Sequence, residues 1–550
     1  MDLNLLADLL YPDIHTLPED MEKRYPPRDL PPDAKVTRFA PSPTGMVHFG
    51  SLLPTRVSER LAHQSGGVYI LRIEDTDSKR YVEGAVENLI KTYKYFHIDF
   101  DEGVTESGDK GNYGPYTQSQ RVEIYQTYAK ELIRAGKAYP CFCTAEELDA
   151  MRQAQEAEGA DPGYYGKWAK WRDADFESIK AELDKGTPFV LRFRSEGDPE
   201  HKIKFSDLVK GEVTVSENYM DHVLLKSDGI PTYHMAHAVD DHLMGTTHVV
   251  RGEEWLPSLP FHMQLFKALG FRLPKYLHIS QLMKLDENGN KKKLSKRDNE
   301  SGVSYFREKG FPAASVEEYV MTLLNSNYEE WRTANPDLPY TDFPFSVKKM
   351  SPSGCLFDMD KLTDVSKTVI SRMTAGDVCA ETLEWAKDYD PELAGAISAD
   401  KDYATRIFAI GRGGKKPRKD IAMWSEVKDY VSLFYDGMFR KTDPWPEKFA
   451  ASDIRAALVG YLDSFDYADD SKAWFDKVKA VADSIGLASD MKAYKADPGA
   501  YKGSVADVSM FLRLAITGRQ NSPDMYEIIH IIGEERSRER VAAAIKELGE

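Results

Sequence analysis

Residues 36–77, VTRFAPSPTGMVHFGSLLPTRVSERLAHQSGGVYILRIEDTD, constrain the fold of this chain more than any other stretch. Residues 36–40 form a short apolar run with one basic residue, Arg38, and predict a buried strand. Pro41-Ser42-Pro43-Thr44-Gly45 breaks that run into a turn. His48-Phe49-Gly50-Ser51 leads into a helical pattern, with Ser51 as the expected N-cap and Pro54 in the first turn. Leu53, Val57 and Leu61 line one face of that helix, Gly66-Gly67 stops it, and 68–73 reads as a second strand ending at Glu74, Asp75 and Asp77. A strand–helix–strand unit crosses over right-handed with parallel strands, and ligands bind such sheets beyond the strands' carboxyl ends. Ser42, His48 and Glu74 fall on that edge, where a helix N-terminus offers N–H groups and a positive dipole end to phosphate.

Composition narrows the class. A length of 550 residues predicts several domains with real cores. With 29% charged residues and no long apolar run, no transmembrane segment is expected. The acidic N-terminus lacks the basic start and apolar core of a signal peptide, which predicts a cytoplasmic protein. A net charge of −17 taken alone argues against a nucleic-acid partner, but a local basic surface still binds phosphate. Two basic clusters, 291–297 and 412–419, are candidates for such a surface, although charge runs are usually solvated loops. Asn288-Gly289 is a tight-turn signal that puts the first cluster on a hairpin or flexible loop.

Metal chemistry is weakly supported. Cys141, Cys143, Cys355 and Cys379 are too few for a disulfide scaffold. A C-x-C such as Cys141-Phe142-Cys143 can be half of a zinc site, but the stretch GYYGKWAKWRD that follows has Tyr164 and Tyr165 and neither Cys nor His. A closed structural site needs four ligands, so no zinc is expected. His222, His234, His237, His242 and His248 raise a metal hypothesis, yet His234-x-x-His237 fits no recognised ligand pattern, and hydrogen-bonding roles are expected instead.

An isolated H-x-G would be explained by an ordinary α/β unit with a proline-rich turn. The longer block is not. Arg38-Phe39-Ala40-Pro41-Ser42-Pro43-Thr44-Gly45 followed by His48-Phe49-Gly50-Ser51 resembles the "HIGH" signature of the glutamyl branch of class I aminoacyl-tRNA synthetases. Phe49-Gly50-Ser51 departs from Ile-Gly-His, although Ser or Thr is common in the last place. Ile73-Glu74-Asp75-Thr76-Asp77 matches the same branch, whereas glutaminyl enzymes carry Glu and Asn in place of Ser42 and Thr44. Gly114-Pro115-Tyr116-Thr117-Gln118-Ser119-Gln120-Arg121 resembles the family's G-P-Y-x-Q-S-x-R, and Lys293-Leu294-Ser295-Lys296-Arg297 is similar to its "KMSKS" loop. Thr517-Gly518-Arg519 and residues 532–541 resemble the end of bacterial-type glutamyl enzymes.

The resemblance implies a Rossmann-type α/β catalytic domain with an α+β insertion and an all-α C-terminal half. The expected division is an N-terminal extension (1–35, a short helix plus an extended arm), a catalytic domain (36–117 and 229–280), an acceptor-end-binding insertion (118–228), a stem-contact region with the KLSKR loop (281–345), and a helical anticodon-binding region of two modules (346–550). Helices are expected at 82–96, 121–136, 144–158, 377–388, 453–465, 473–485, 504–516 and 524–548.

It further implies ligation of L-glutamate to tRNA-Glu through glutamyl-adenylate, using ATP with Mg²⁺. His48, Ser51, Lys293 and Lys296 match catalytic positions. Arg38, Ser42, Glu74, Tyr233, His237 and Arg251 match glutamate-binding positions. Pro43, His48, Gly50, Glu254, Trp255, Lys293, Leu294, Ser295 and Lys296 match ATP-binding positions. Arg38 is expected to pair bidentately with the side-chain carboxylate of glutamate, Glu74 and Ser42 to receive the ammonium, and Tyr233 and Arg251 the remaining oxygens. The 412–419 cluster is a candidate contact to tRNA phosphates. The family is usually monomeric. Three alternatives stay open: a glutaminyl-tRNA synthetase, an enzyme that glutamylates a modified tRNA base, and a catalytically inactive tRNA-binding relative. Whether tRNA-Gln is also a substrate is left open.

Overall fold

The computed structural model describes residues 2–549 apart from 78–79, 295–297 and 415. The chain forms two compact units, Met1–Tyr305 with Glu317–Asp358, and Phe306–Val316 with Met359–Glu550.

In the first unit, helices α1 (Leu3–Leu10) and α2 (Pro18–Arg24) precede β1 (Val36–Phe39). Helix α3 (Leu52–His63) connects β1 to β2 (Val68–Leu71), and the strands pair in parallel from Val36 opposite Val68 to Phe39 opposite Leu71. The second strand ends two residues earlier than its apolar pattern suggests. Ile73 leaves the ladder with β1 and bridges Thr117 instead. Ser51 makes no side-chain cap on α3. A 3-10 turn, Phe49–Ser51, precedes the helix, and His48 caps it by accepting the Gly50 N–H at Nδ1, 2.9 Å away.

Helix α4 (Ala85–Tyr95) starts three residues later than expected, after Gly84 at φ 76°. Strand β3 (Glu102–Thr105) joins β2 in parallel, and β4 (Gly108–Lys110) closes the sheet in the order β1-β2-β3-β4. The insertion contains α5 (Val122–Arg134), β5 (Ala138–Cys141), α6 (Ala145–Ala157), α7 (Phe176–Asp184) and β6 (Val190–Phe193). It continues with the hairpin of β7 (Lys202–Asp207) and β8 (Gly211–Ser216), then β9 (Val223–Leu225), which pairs with β6. The chain returns through α8 (Tyr233–Leu243), β10 (His248–Gly252), α9 (Leu259–Ala268) and β11 (Lys275–Ile279), with β10 and β11 parallel. Thr247 N–H donates to Val36 O at 2.9 Å, so the returning half meets the free edge of β1. The basic run begins on a hairpin as expected: β12 (Leu282–Leu285) pairs with β13 (Lys291–Lys293) around Gly289 at φ 79°.

Residues 1–35 are less an arm than part of this core. Leu6, Leu10, Met21 and Tyr25 are buried in one cluster with Ile124, Tyr128 and Leu132 of α5. The buried ammonium of Lys130 donates to the carbonyls of Tyr11 and Ile14, at 2.9 and 2.8 Å. Arg28 forks onto the Glu102 carboxylate with two bonds of 2.8 Å, while its Nε donates to Met244 O. Buried charges and carbonyls are satisfied only with these partners present, so the extension is integral to the unit.

The second unit is helical. Ala375–Tyr389, Ala451–Ser464, Ser471–Ser484 and Val505–Thr517 occupy four of the expected segments. The expected helix over 524–548 is two, Met525–Ile532 and Glu534–Glu547, because Gly533 takes φ 91° between them. A 13-residue amphipathic helix ends at Gly518 with φ 73°, where a side chain would also strike Arg440 O and Lys441 Cα. In the 412–419 cluster, Arg412 turns inward and donates to Phe408 O and Ile370 O. Arg418 pairs with Asp420. Arg412 is thus committed to the fold, while Arg418 stays exposed beside Asp420.

Candidate active site

A cleft of about 530 Å³ opens where β10 and β11 end and α3 begins. His48, Gly50, Ser51, Glu254, Lys293 and Leu294 line it. Because Nδ1 of His48 accepts from the turn, Nε2 carries the proton of the neutral ring. A Cβ at Gly50 would sit 2.9 Å from that Nδ1, so glycine is what lets the ring fold over the turn. Ser42 and Pro43 line a neighbouring cavity of about 300 Å³ that shares His48 and Ser51. Trp255 stacks on Tyr233 with ring centroids 4.1 Å apart. Ser295 and Lys296 lie outside the described residues.

Next to the cleft lies a buried network of charges. Arg38 is 4% exposed and its Nε faces both oxygens of Asp241, at 3.1 and 3.2 Å. One edge of the guanidinium is therefore already taken, which an uncommitted carboxylate fork would not have allowed for. Arg72 shares the same carboxylate at 2.7 Å and reaches Glu74 at 3.2 Å. Against the cost of burial, the guanidiniums of Arg38 and Arg72 hold the Asp241 carboxyl well below the usual range. Asp240, its neighbour on α8, accepts from Gln118, Arg121 and Tyr125 at 2.7–2.9 Å. Asp75 accepts from Ser119 N–H and Oγ. Asp75 and Asp240 thus both lock onto the G-P-Y-x-Q-S-x-R turn.

Burial pushes the Glu74 carboxyl up to about 7, against the pull of Arg72 and Arg38. The sign follows directly. A raised folded value gives stability that is full below about 4.5 and is lost as pH rises through about 7. An ammonium ligand needs the ionised form, so binding at Glu74 improves over the same rise.

Arg251, on β10, has a different environment. Its Nε donates to His278 Nε2 at 3.0 Å, Nη1 meets His262 Nδ1 at 3.2 Å and Tyr233 OH at 3.4 Å, and the guanidinium lies 4.6 Å from the Tyr276 ring centroid. His262 is held neutral by burial and by the neighbouring His237 and Arg251. Among the described residues no carboxylate bonds this guanidinium directly, so its charge remains available to a ligand. His237 is fully buried behind Tyr233, with rings stacked at 5.5 Å, and it bonds Tyr276 OH at 2.9 Å. Its Nδ1 lies 2.7 Å from Asp241 but off the line of a good hydrogen bond. The other histidines also pair within the fold: His234 with His262, His242 with Glu22 and His248 with Thr247. Among the described residues no group of three or more His, Cys, Asp or Glu is placed to hold a metal. Tyr164 OH lies 3.6 Å from Cys143 Sγ.

Sequence reasoning missed Arg72, Asp240, Asp241, Asp207, His262 and His278. A signal existed for the first three. An arginine inside the strand run VYILRIE, and paired aspartates inside an otherwise apolar helix, are charges that burial forces into pairs.

Residues 35–338 match the family described as tRNA synthetases class I (E and Q), catalytic domain, and residues 487–545 match an anticodon binding domain. The glutamate–tRNA ligase of Acetivibrio thermocellus is 50% identical over 98% of this chain and 99% of its own length. That of Sorangium cellulosum is 47% identical over 96% and 97%. Among solved structures, a glutamate tRNA ligase from Elizabethkingia meningosepticum in complex with its amino acid superposes with a TM-score of 0.76 at 26% identity, covering 94% of this chain and 100% of the other.

Proposed function

The chain belongs to the class I tRNA synthetases of the glutamyl and glutaminyl branch, and from that premise we propose how its buried charges serve the reaction. The protein is a glutamate–tRNA ligase. With ATP it joins L-glutamate to tRNA-Glu in two steps: a glutamate carboxylate oxygen attacks the α-phosphorus of ATP, releasing pyrophosphate, and a terminal ribose hydroxyl of the tRNA then attacks the adenylate and releases AMP. In our reading ATP enters as its magnesium complex, and the enzyme works as a cytoplasmic monomer.

The observation that carries the assignment of roles is a charge match. Arg38 and Arg251 present two buried guanidiniums and Glu74 one half-buried carboxylate, which complement the two carboxylates and single ammonium of glutamate. Arg38 takes the side-chain carboxylate through its remaining edge, and Arg251 with Tyr233 takes the other oxygens. Glu74, with Ser42 from the turn, takes the ammonium. Glutamine would place a neutral amide against Arg38, whose charge Asp241 already balances on one edge, and would forgo the charge-assisted bond on the other edge. His48 Nε2–H and the N-terminal turn of α3 hold phosphate on one side of the cleft, Lys293 counters charge from the other, and Gly50 and Leu294 shape the wall. Pro43, Ser51, Glu254, Trp255, Ser295 and Lys296 complete the nucleotide contacts, and His237 acts from behind Tyr233. The protein holds no covalent intermediate; it positions reactants and stabilises charge.

The decisive test is aminoacylation of purified tRNA-Glu and tRNA-Gln, each offered glutamate or glutamine. Glutamate on tRNA-Glu is expected. Its appearance on tRNA-Gln as well would identify a non-discriminating enzyme, and transfer of glutamine would overturn the role of Arg38. A second prediction concerns pH: KM for glutamate should fall as pH rises through about 7, the region where Glu74 ionises. In Glu74→Gln this limb should vanish and KM should rise by about tenfold or more. An unchanged profile in the variant would remove Glu74 from ammonium binding.

A further inference from the structure

The β7–β8 hairpin belongs to the insertion, yet its turn is built into the amino-acid side of the catalytic fold. Asp207 is 2% exposed. Its Oδ1 accepts the N–H groups of Val209 and Lys210 at 2.9 and 2.8 Å. Its Oδ2 accepts the His278 backbone N–H at 3.1 Å and faces His278 Nδ1 at 2.7 Å. A carboxylate there fixes the imidazole with its proton on Nδ1 and a bare lone pair on Nε2. That lone pair is what the Nε–H of Arg251 donates to, 3.0 Å away. The Tyr276 ring stacks on His278 at 5.8 Å and lies beneath the Arg251 guanidinium, which leaves the imidazole little freedom to turn. Independently, Lys210 ties the same turn to Glu253 at 2.6 Å and to Pro352 O, and it bonds Ser280, which lines the nucleotide cleft.

We propose that Asp207 and His278 are positioning residues for glutamate: the carboxylate sets the tautomer of the ring, and the ring sets the plane of Arg251. This rests on the reading of Arg251 as a glutamate contact. It makes the amino-acid site dependent on a residue from the inserted domain. Asp207→Asn keeps the shape and the acceptor for Val209 and Lys210 but turns a donor toward His278, facing both Nδ1 and the backbone N–H. The ring then moves its proton to Nε2, where it confronts the Arg251 N–H.

The test is steady-state kinetics of the full-length enzyme with tRNA present, alongside thermal melting. Asp207→Asn and His278→Gln are each expected to raise KM for glutamate by about tenfold or more, with KM for ATP within about twofold of wild type. Lys210→Met loosens the same turn without touching the Asp207–His278 pair, and its glutamate KM should stay within about threefold. Should Asp207→Asn fail to fold, His278→Gln carries the test alone. Wild-type glutamate KM in both variants, while Arg251→Gln raises it, would overturn the relay and leave the Arg251 reading intact. An equal rise in Lys210→Met would also overturn it, since seating of the turn would then suffice. Unchanged glutamate KM in Arg251→Gln would remove the reading on which the relay stands.

Discussion

Asp241→Ala is expected to be the most destabilising single substitution in the catalytic unit, costing about 3–5 kcal/mol in denaturant unfolding. Its carboxylate is fully buried and serves Arg38 and Arg72 together, with Thr246 Oγ1 at 3.4 Å as a further donor. Removing it leaves two guanidiniums side by side in the interior with Glu74 as the nearest remaining counter-charge. Replacing a whole buried pair with apolar groups is often tolerated, but stranding one member is not. The matched double variant Arg72→Met with Asp241→Leu should therefore recover part of the loss. A midpoint at the wild-type value in Asp241→Ala would mean that the cluster contributes nothing to folding.

Arg38→Ala should act mainly on catalysis. Asp241 keeps Arg72 at 2.7 Å when Arg38 is gone, so the fold should lose less than in Asp241→Ala. Glutamate should lose its guanidinium partner, and kcat/KM for glutamate activation is expected to fall by about 10²–10³. Discrimination against glutamine should shrink with it, because an amide no longer faces a buried cation. The measurement is ATP–pyrophosphate exchange in the presence of tRNA, with each amino acid in turn. Wild-type exchange with glutamate would sink the assignment of Arg38, whatever the stability result.

How far the sequence speaks differs between the His48 cleft and the charge network beside it. The cleft at His48 was legible because its parts are local. A proline-rich turn, a histidine, a glycine and a helix start within a dozen residues specify their own geometry, and Lys293 and Leu294 arrive on a hairpin marked by Asn288-Gly289. Around Arg38 and Arg251 the partners were not legible. That Arg38 is half-committed to Asp241, that His237 sits behind Tyr233, and that Arg251 hangs between two neutral imidazoles depends on which residues from five distant segments meet.

Residues 1–35 show the same divide. Their proline-rich, acidic composition reads as an arm, whereas Leu6, Leu10, Met21 and Tyr25 are spaced to bury against α5, a helix more than a hundred residues away. Local signals also misplaced the cap of α3, because a 3-10 turn, Phe49–Ser51, precedes the helix and His48, not Ser51, caps that turn by accepting the Gly50 N–H. The long C-terminal helix was divided by a single glycine whose φ of 91° no periodicity reveals.

By itself, the sequence determined the strand–helix–strand signature unit, the hairpin of the basic run and the helical nature of the second unit. Backbone propensity, turn chemistry and hydrophobic period act over a few residues, and these features need nothing more. Only the tertiary structure decided how the charges are shared. Burial removes water as a partner, so each guanidinium must find its carboxylate, ring nitrogen or carbonyl among whatever the fold brings near, and Asp207, Asp240 and Asp241 acquire their roles from that meeting alone.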